Sequence, residues 1–277
     1  MAPVIVPGRH VDEPYASLFS GRTTLAQYVD EAPSRVDPVF DDRPFFFARA
    51  KPWGLPLAMR QAFVGILVSV LVVCALLLAF GKPKGERAGP YLGSVGYFAS
   101  LGVGFIAVEL ALLQHLTLLL GHPIFTLSIL LFTLLAAGGV GSRFAGRFRL
   151  PIVCLGVAAL AAVYALALPR VVPLLLPLLL GARIAIAILL VAPLGFLMGM
   201  PFPSGLRETG RGPFPPPPFY WGLNGIFSVI GSLATIGVAV VAGFTWAMLG
   251  GAAFYLVAAL ASPAFGARAA EALETAA

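Results

Sequence analysis

This sequence predicts an all-α fold, a polytopic bundle of about seven transmembrane helices, one of them broken. Three observations carry that reading. Of the 277 residues, 59% are hydrophobic and only 11% are charged, whereas a soluble domain carries about 25% charged residues. The mean hydropathy is +0.94. Apolar runs long enough to cross a hydrocarbon core of about 30 Å follow one another, and each stops at glycine, proline or basic residues.

Residues 1–57 differ in kind from the rest. They hold seven of the chain's twelve acidic residues: Asp12, Glu13, Asp30, Glu31, Asp37, Asp41 and Asp42. An amphipathic pattern from Pro14 to Tyr28 predicts one or two helical turns. So short a segment buries little core alone. It is expected to pack on something else or to be the tail of a larger domain.

The transmembrane domain is expected over 58–262, with a polar tail over 263–277. Its helices are read in order as Gln61–Phe80, Ser94–Leu120, Ile124–Gly141, Ile152–Leu168, Ile184–Met200, Tyr220–Ala242 and Trp246–Ala261. Gly121-His122-Pro123 forces a tight turn between the second and third. Before the fifth, Pro173, Pro177 and Gly181 predict a short re-entrant or interfacial piece over Val171–Leu180. Arg183 is placed near an interface, because an arginine at the bilayer centre costs at least about 2.5–3.5 kcal/mol.

The net charge of +6 is not a nucleic-acid signature, since the basic residues lie in short loops between apolar runs. Cys74 and Cys154 lack the spacing of a metal or redox motif and read as small buried hydrophobes. No metal motif is present, and no nucleophile or general base accompanies the Asp41-Asp42 pair. That pair reads as a turn before Arg43-Pro44. The glycines of "AAGGVGS", Ala136–Ser142, end an apolar helix and lack the βαβ setting of a nucleotide loop.

Glu109 is the acid inside the predicted spans, and an intramembrane carboxylate faces the bundle interior, a partner or water. It reads either as a proton, cation or substrate contact, or as a structural carboxyl, protonated or paired with Arg183, Gln114 or His115. Gln114, His115 and His122 cluster towards the end of the same helix and read as interfacial polar anchors. On the sixth helix Asn224, Ser228, Gly231 and Thr235, with Ser232 at the margin, form a stripe of small and hydrogen-bonding residues suited to close packing. Asn224, beside Trp221, could alternatively meet a ligand.

Four segments together resemble one family: "DDRPFFF" (41–47), "FIAVELALLQHLTLLLGHPIFTLSILLFTLLAAGGVGS" (105–142), "APLGFLMGMPFPSGLR" (192–207) and "WGLNGIFSVIGSLATI" (221–236). The chain resembles the C-terminal portion of bacterial proteins that fuse a spermidine-synthase-like, S-adenosylmethionine-type domain to membrane helices. The resemblance implies an inner-membrane location and a Rossmann-like transferase domain ahead of "DDRPFFF". This chain would start with that domain's extreme tail. The nucleotide turn, the ribose-binding acid and the catalytic aspartate have no matching positions. The chain is therefore expected to hold no cofactor and to be non-catalytic alone, anchoring or supplying substrate to a transferase domain or subunit. Phe45–Phe47 and Trp53 are expected at the membrane interface.

"GSRFAGRFR" also resembles the basic cytoplasmic loop of major facilitator transporters, though the usual acid is missing. Two other roles stay open: a small-solute transporter with Glu109 as coupling carboxylate, and a structural membrane subunit. Orientation stays open too. Loop charges favour an external N-terminal segment, while a cofactor-using domain would hold that segment in the cytoplasm.

Overall fold

Inside hydrocarbon no water satisfies backbone N–H and C=O groups, so each apolar run must close its own hydrogen bonds, as a helix does. The computed structural model describes residues 5–6, 10–11, 15–32, 41–44, 57–80, 88–212 and 214–276. Phe45–Phe47, Trp53, Asp12, Glu13, Asp37, Arg49, Lys51 and the loop from Lys82 to Arg87 lie outside the described residues, as does the side chain of Cys74.

The chain is an all-α bundle. Among the described residues, six helical stretches are long and apolar enough to cross a membrane, which makes this a multi-pass membrane protein. Two short strands, β1 (Ile5–Val6) and β2 (His10–Val11), pair antiparallel near the N-terminus. Two short helices follow, α1 (Tyr15–Phe19) and α2 (Leu25–Glu31). Thr24 and Gln27 form a reciprocal capping box that fixes where α2 starts.

The apolar helices are α3 (Leu57–Phe80), α4 (Ala88–Leu120), α5 (Pro123–Ser142), α6 (Leu150–Leu175), α7 (Leu180–Met198), α9 (Pro217–Ala242) and α10 (Phe244–Ala276). A short amphipathic helix, α8 (Pro201–Thr209), follows α7.

Two boundaries differ from the sequence reading. The separate piece expected at Val171–Leu180 does not form. Instead α6 runs through Pro169 and Pro173 to Leu175, and a brief turn leads into α7. Each proline removes one donor, which a membrane helix tolerates when its neighbours compensate. At the other end, α10 passes Pro263 and stays helical through the charged tail to Ala276.

Helix α4 is the axis of the bundle. It packs most heavily on α10 and α9, while α5 packs chiefly on α7 and α6 on α10. Glycine permits the closest of these approaches. A Cβ at Gly102 would meet the Asn224 carbonyl of α9 at 2.5 Å, and one at Gly141 would collide with the Phe196 carbonyl of α7. A Cβ at Gly199 would likewise collide with the Gly138 backbone of α5. "AAGGVGS" is thus a helical surface against α7 and not a loop.

Hydroxyls stitch the remaining contacts. Tyr97 donates to the Pro201 carbonyl at 2.8 Å, and Tyr220 to Ser94 at 2.9 Å. Tyr164 donates to the Leu190 carbonyl at 2.7 Å, one turn ahead of Pro193 in α7. In a medium without water such bonds tie one helix to the next.

Successive antiparallel crossings sort the loops onto two faces. One face carries Arg143, Arg147 and Arg149 after α5, and Arg207 and Arg211 after α7. There Arg207 donates to the Ala145 carbonyl and the Gly146 amide donates to Ser204 at 3.0 Å, joining the α5–α6 loop to α8. The other face carries Arg43, Arg170 and Arg183, with the turns α4–α5, α6–α7 and α9–α10.

Candidate functional site

The residues singled out in the sequence fall into three places. The first is a knot on the face opposite the arginine loops. At the α9–α10 turn, α9 leaves its last carbonyls unpaired and α10 its first amides, with a partial negative charge beside a partial positive one. Asp41 to Pro44 supplies the complement. The main-chain carbonyl of Asp42 accepts from the Phe244 amide at 2.9 Å. Its carboxylate Oδ1 accepts from both the amide and the hydroxyl of Thr245, each at 2.8 Å. Arg43 Nη1 donates to the Val241 carbonyl at 3.3 Å, at the negative end of α9. Asp41 is exposed and Pro44 half-buried in the same turn.

Gly243 makes the knot possible. Its φ of 102° lies in the region that favours glycine, and a Cβ there would collide with the Asp42 carboxylate. Behind the carboxylate stands His115 of α4, 1% exposed. Its Nε2 lies 4.0 Å from Asp42 Oδ1 and makes no hydrogen bond. His115 is therefore not the interfacial anchor expected, because it closes the inner wall of the knot. His122 is exposed at the head of α5, and Gln114 is half-buried on α4.

The second place is the α4–α7 contact nearby. Arg183 Nη1 donates to the Leu119 carbonyl at 2.9 Å, supplying a donor to the last turn of α4. Glu109 is half-buried and makes no hydrogen bond or ion pair with any described residue. The pairing expected with Arg183, Gln114 or His115 does not occur. Arg183 is committed to α4's end, and His115 faces Asp42.

The third place is a lateral cleft of about 450 Å³ among α4, α5, α7, α8, α9 and α10. Phe105, Gly139, Ser142, Trp221, Asn224 and Tyr255 are among its lining residues. Glu109 lies four residues after Phe105, hence one turn further along the same face of α4. The stripe on α9 faces α4. Asn224 donates to the Phe98 carbonyl at 3.2 Å, and Ser228 donates to the Gly102 carbonyl at 3.3 Å. A Cβ on Gly231 would meet Val103 Cα at 2.8 Å. Thr235 and Ser232 bond within their own helix, to Gly231 and Val229. Asn224 thus serves packing and borders the cleft at once.

Sequence reasoning missed Thr245, Gly243 and Tyr255. A glycine followed two residues later by threonine at a helix start is a legible turn-and-cap signal, but its acidic partner is remote in the chain. No cluster of metal-ligating side chains occurs among the described residues. Comparison with family models, curated proteins and solved structures finds no match to this chain.

Proposed function

We propose that this chain is the membrane-embedded part of a spermidine-synthase-like protein of the inner membrane. It is not catalytic alone, and it holds a Rossmann-like transferase domain or subunit at the Asp42 face. The observation that carries this reading is the knot. Residues 41–44 are tied by main chain and side chain to the ends of α9 and α10, so the segment before them is joined to the bundle by a fixed attachment. That segment also exposes apolar side chains suited to a partner, with Phe19 71% and Leu25 62% exposed.

Calorimetry with S-adenosylmethionine or its decarboxylated form tests the non-catalytic part of the proposal. The expectation is no binding by this chain alone, and clear binding overturns it. Photo-crosslinkers at Phe19 and Leu25 in native membranes test the partner. Capture of a protein with an S-adenosylmethionine-type fold supports the anchor, and capture of lipid alone contradicts it.

A second reading, small-solute transport, is favoured by one observation: Glu109 has no partner among the described residues and lies one turn from the cleft. It predicts uptake or efflux in proteoliposomes that is lost in Glu109→Gln.

A further inference from the structure

We propose that the lateral cleft is a binding site for one acyl chain of an anionic phospholipid, whose phosphate meets Arg143. The cleft opens sideways towards lipid. Leu135 on one rim is 72% exposed and Trp221 on the other is 63% exposed. The gap exists because α5 packs on α7 and α9 on α4, leaving an unfilled wedge between the two pairs. Its floor at Gly139 is open, since a Cβ there meets nothing within 4 Å.

Length and depth match one leaflet. Leu135 to Ser142 runs about 10 Å along α5 at ~1.5 Å per residue, most of a half-bilayer of about 15 Å. The lining residue Ser142 is the last of α5, and Arg143 follows it directly, exposed and without a partner among the described residues. An apolar slot whose last α5 residue is followed by an exposed arginine complements a chain attached to a phosphate.

Entry of a chain from bulk lipid gains little hydrophobic energy, because lipid tails and the cleft wall are similarly apolar. Selectivity therefore rests on the headgroup. One arginine near the surface enriches anionic over zwitterionic lipid about fivefold.

Trp221 reports occupancy directly. The full chain is reconstituted in phosphatidylcholine vesicles containing a minor fraction of brominated phosphatidylglycerol or brominated phosphatidylcholine. Quenching of Trp221 fluorescence is taken as the difference from Trp221→Phe. The expected result is stronger quenching by the brominated phosphatidylglycerol. Gly139→Leu, which fills the slot from an open helical position, abolishes that preference. Arg143→Gln, at an exposed position, lowers it about fivefold. Equal quenching by both lipids in the parent chain overturns the proposal, as it would if bulk lipid or a second copy of the chain filled the wedge. A preference that survives Gly139→Leu also overturns it, because general surface charge would then be its source. A preference unchanged in Arg143→Gln removes the headgroup assignment and with it the site as proposed.

Discussion

Replacing Asp42 by alanine isolates the knot from the rest of the bundle. The carboxylate accepts two hydrogen bonds from Thr245 at 2.8 Å each and sits at the positive end of α10. Losing an N-capping acceptor costs about 1 kcal/mol. The charge at a partly buried helix N-terminus adds up to about 1 kcal/mol more. With the Asp42 side chain 29% exposed, solvent screens part of the second contribution. The expected loss is about 1.5 kcal/mol, roughly tenfold in the unfolding equilibrium. It is read from SDS titration of the detergent-solubilised protein followed by circular dichroism. Asp42→Asn keeps an acceptor without the charge and should lose about half as much. Gly243→Ala supplies the cross-check. It carries backbone strain of about 1–3 kcal/mol in any background, plus a collision with the carboxylate that Asp42→Ala relieves. The two changes should therefore be less than additive when combined. An Asp42→Ala loss within about 0.5 kcal/mol of zero, the range of an ordinary surface change, refutes the knot as a stabilising element.

Other substitutions probe the surrounding structure. Gly141→Ala drives a Cβ into the Phe196 carbonyl and should destabilise by about 1–3 kcal/mol, whereas Gly139→Ala, two residues away and open, should be neutral or slightly stabilising in the same titration. Tyr97→Phe removes the donor to the Pro201 carbonyl and should cost about 1–3 kcal/mol, because that buried acceptor finds no water; a loss below about 0.5 kcal/mol contradicts the bond. Single cysteines at His122 and at Arg147, in a chain lacking Cys74 and Cys154, should label from opposite sides of the membrane with an impermeant thiol reagent. A cytosolic transferase partner requires the His122 site to be the protected one in intact cells. Labelling at His122 from outside would leave the anchor standing and remove the transferase.

The helices were legible because hydrocarbon length and Gly-His-Pro or basic punctuation are local properties of the chain, as at Gly121–Pro123 between α4 and α5. Pro173 misled for a physical reason. A proline pattern records lost donors and carries no information on the neighbours that make continuation possible, so α6 reads as broken where it is continuous. The small-residue stripe on α9 pointed to packing, but the complementary glycine on α4, Gly102, supplies half of that contact. Glu109 stood out by rarity alone, yet its half-burial and lack of a partner among the described residues depend on how the other helices pack around α4. Asp42 was the hardest to read. Its sequence surroundings suggest a simple turn, and its function in the fold comes from Phe244, Thr245 and His115, all far along the chain.

The junction at residues 41–44 is fixed to the start of α10. The most direct measurement is intramolecular crosslinking with a short thiol reagent in Asp42→Cys/Thr245→Cys, in a chain whose native cysteines are replaced. Rapid, near-complete crosslinking in membranes is expected, and none when the second cysteine is moved to Leu135 on α5. Absent crosslinking at 42 and 245, or equal crosslinking at 42 and 135, would contradict it.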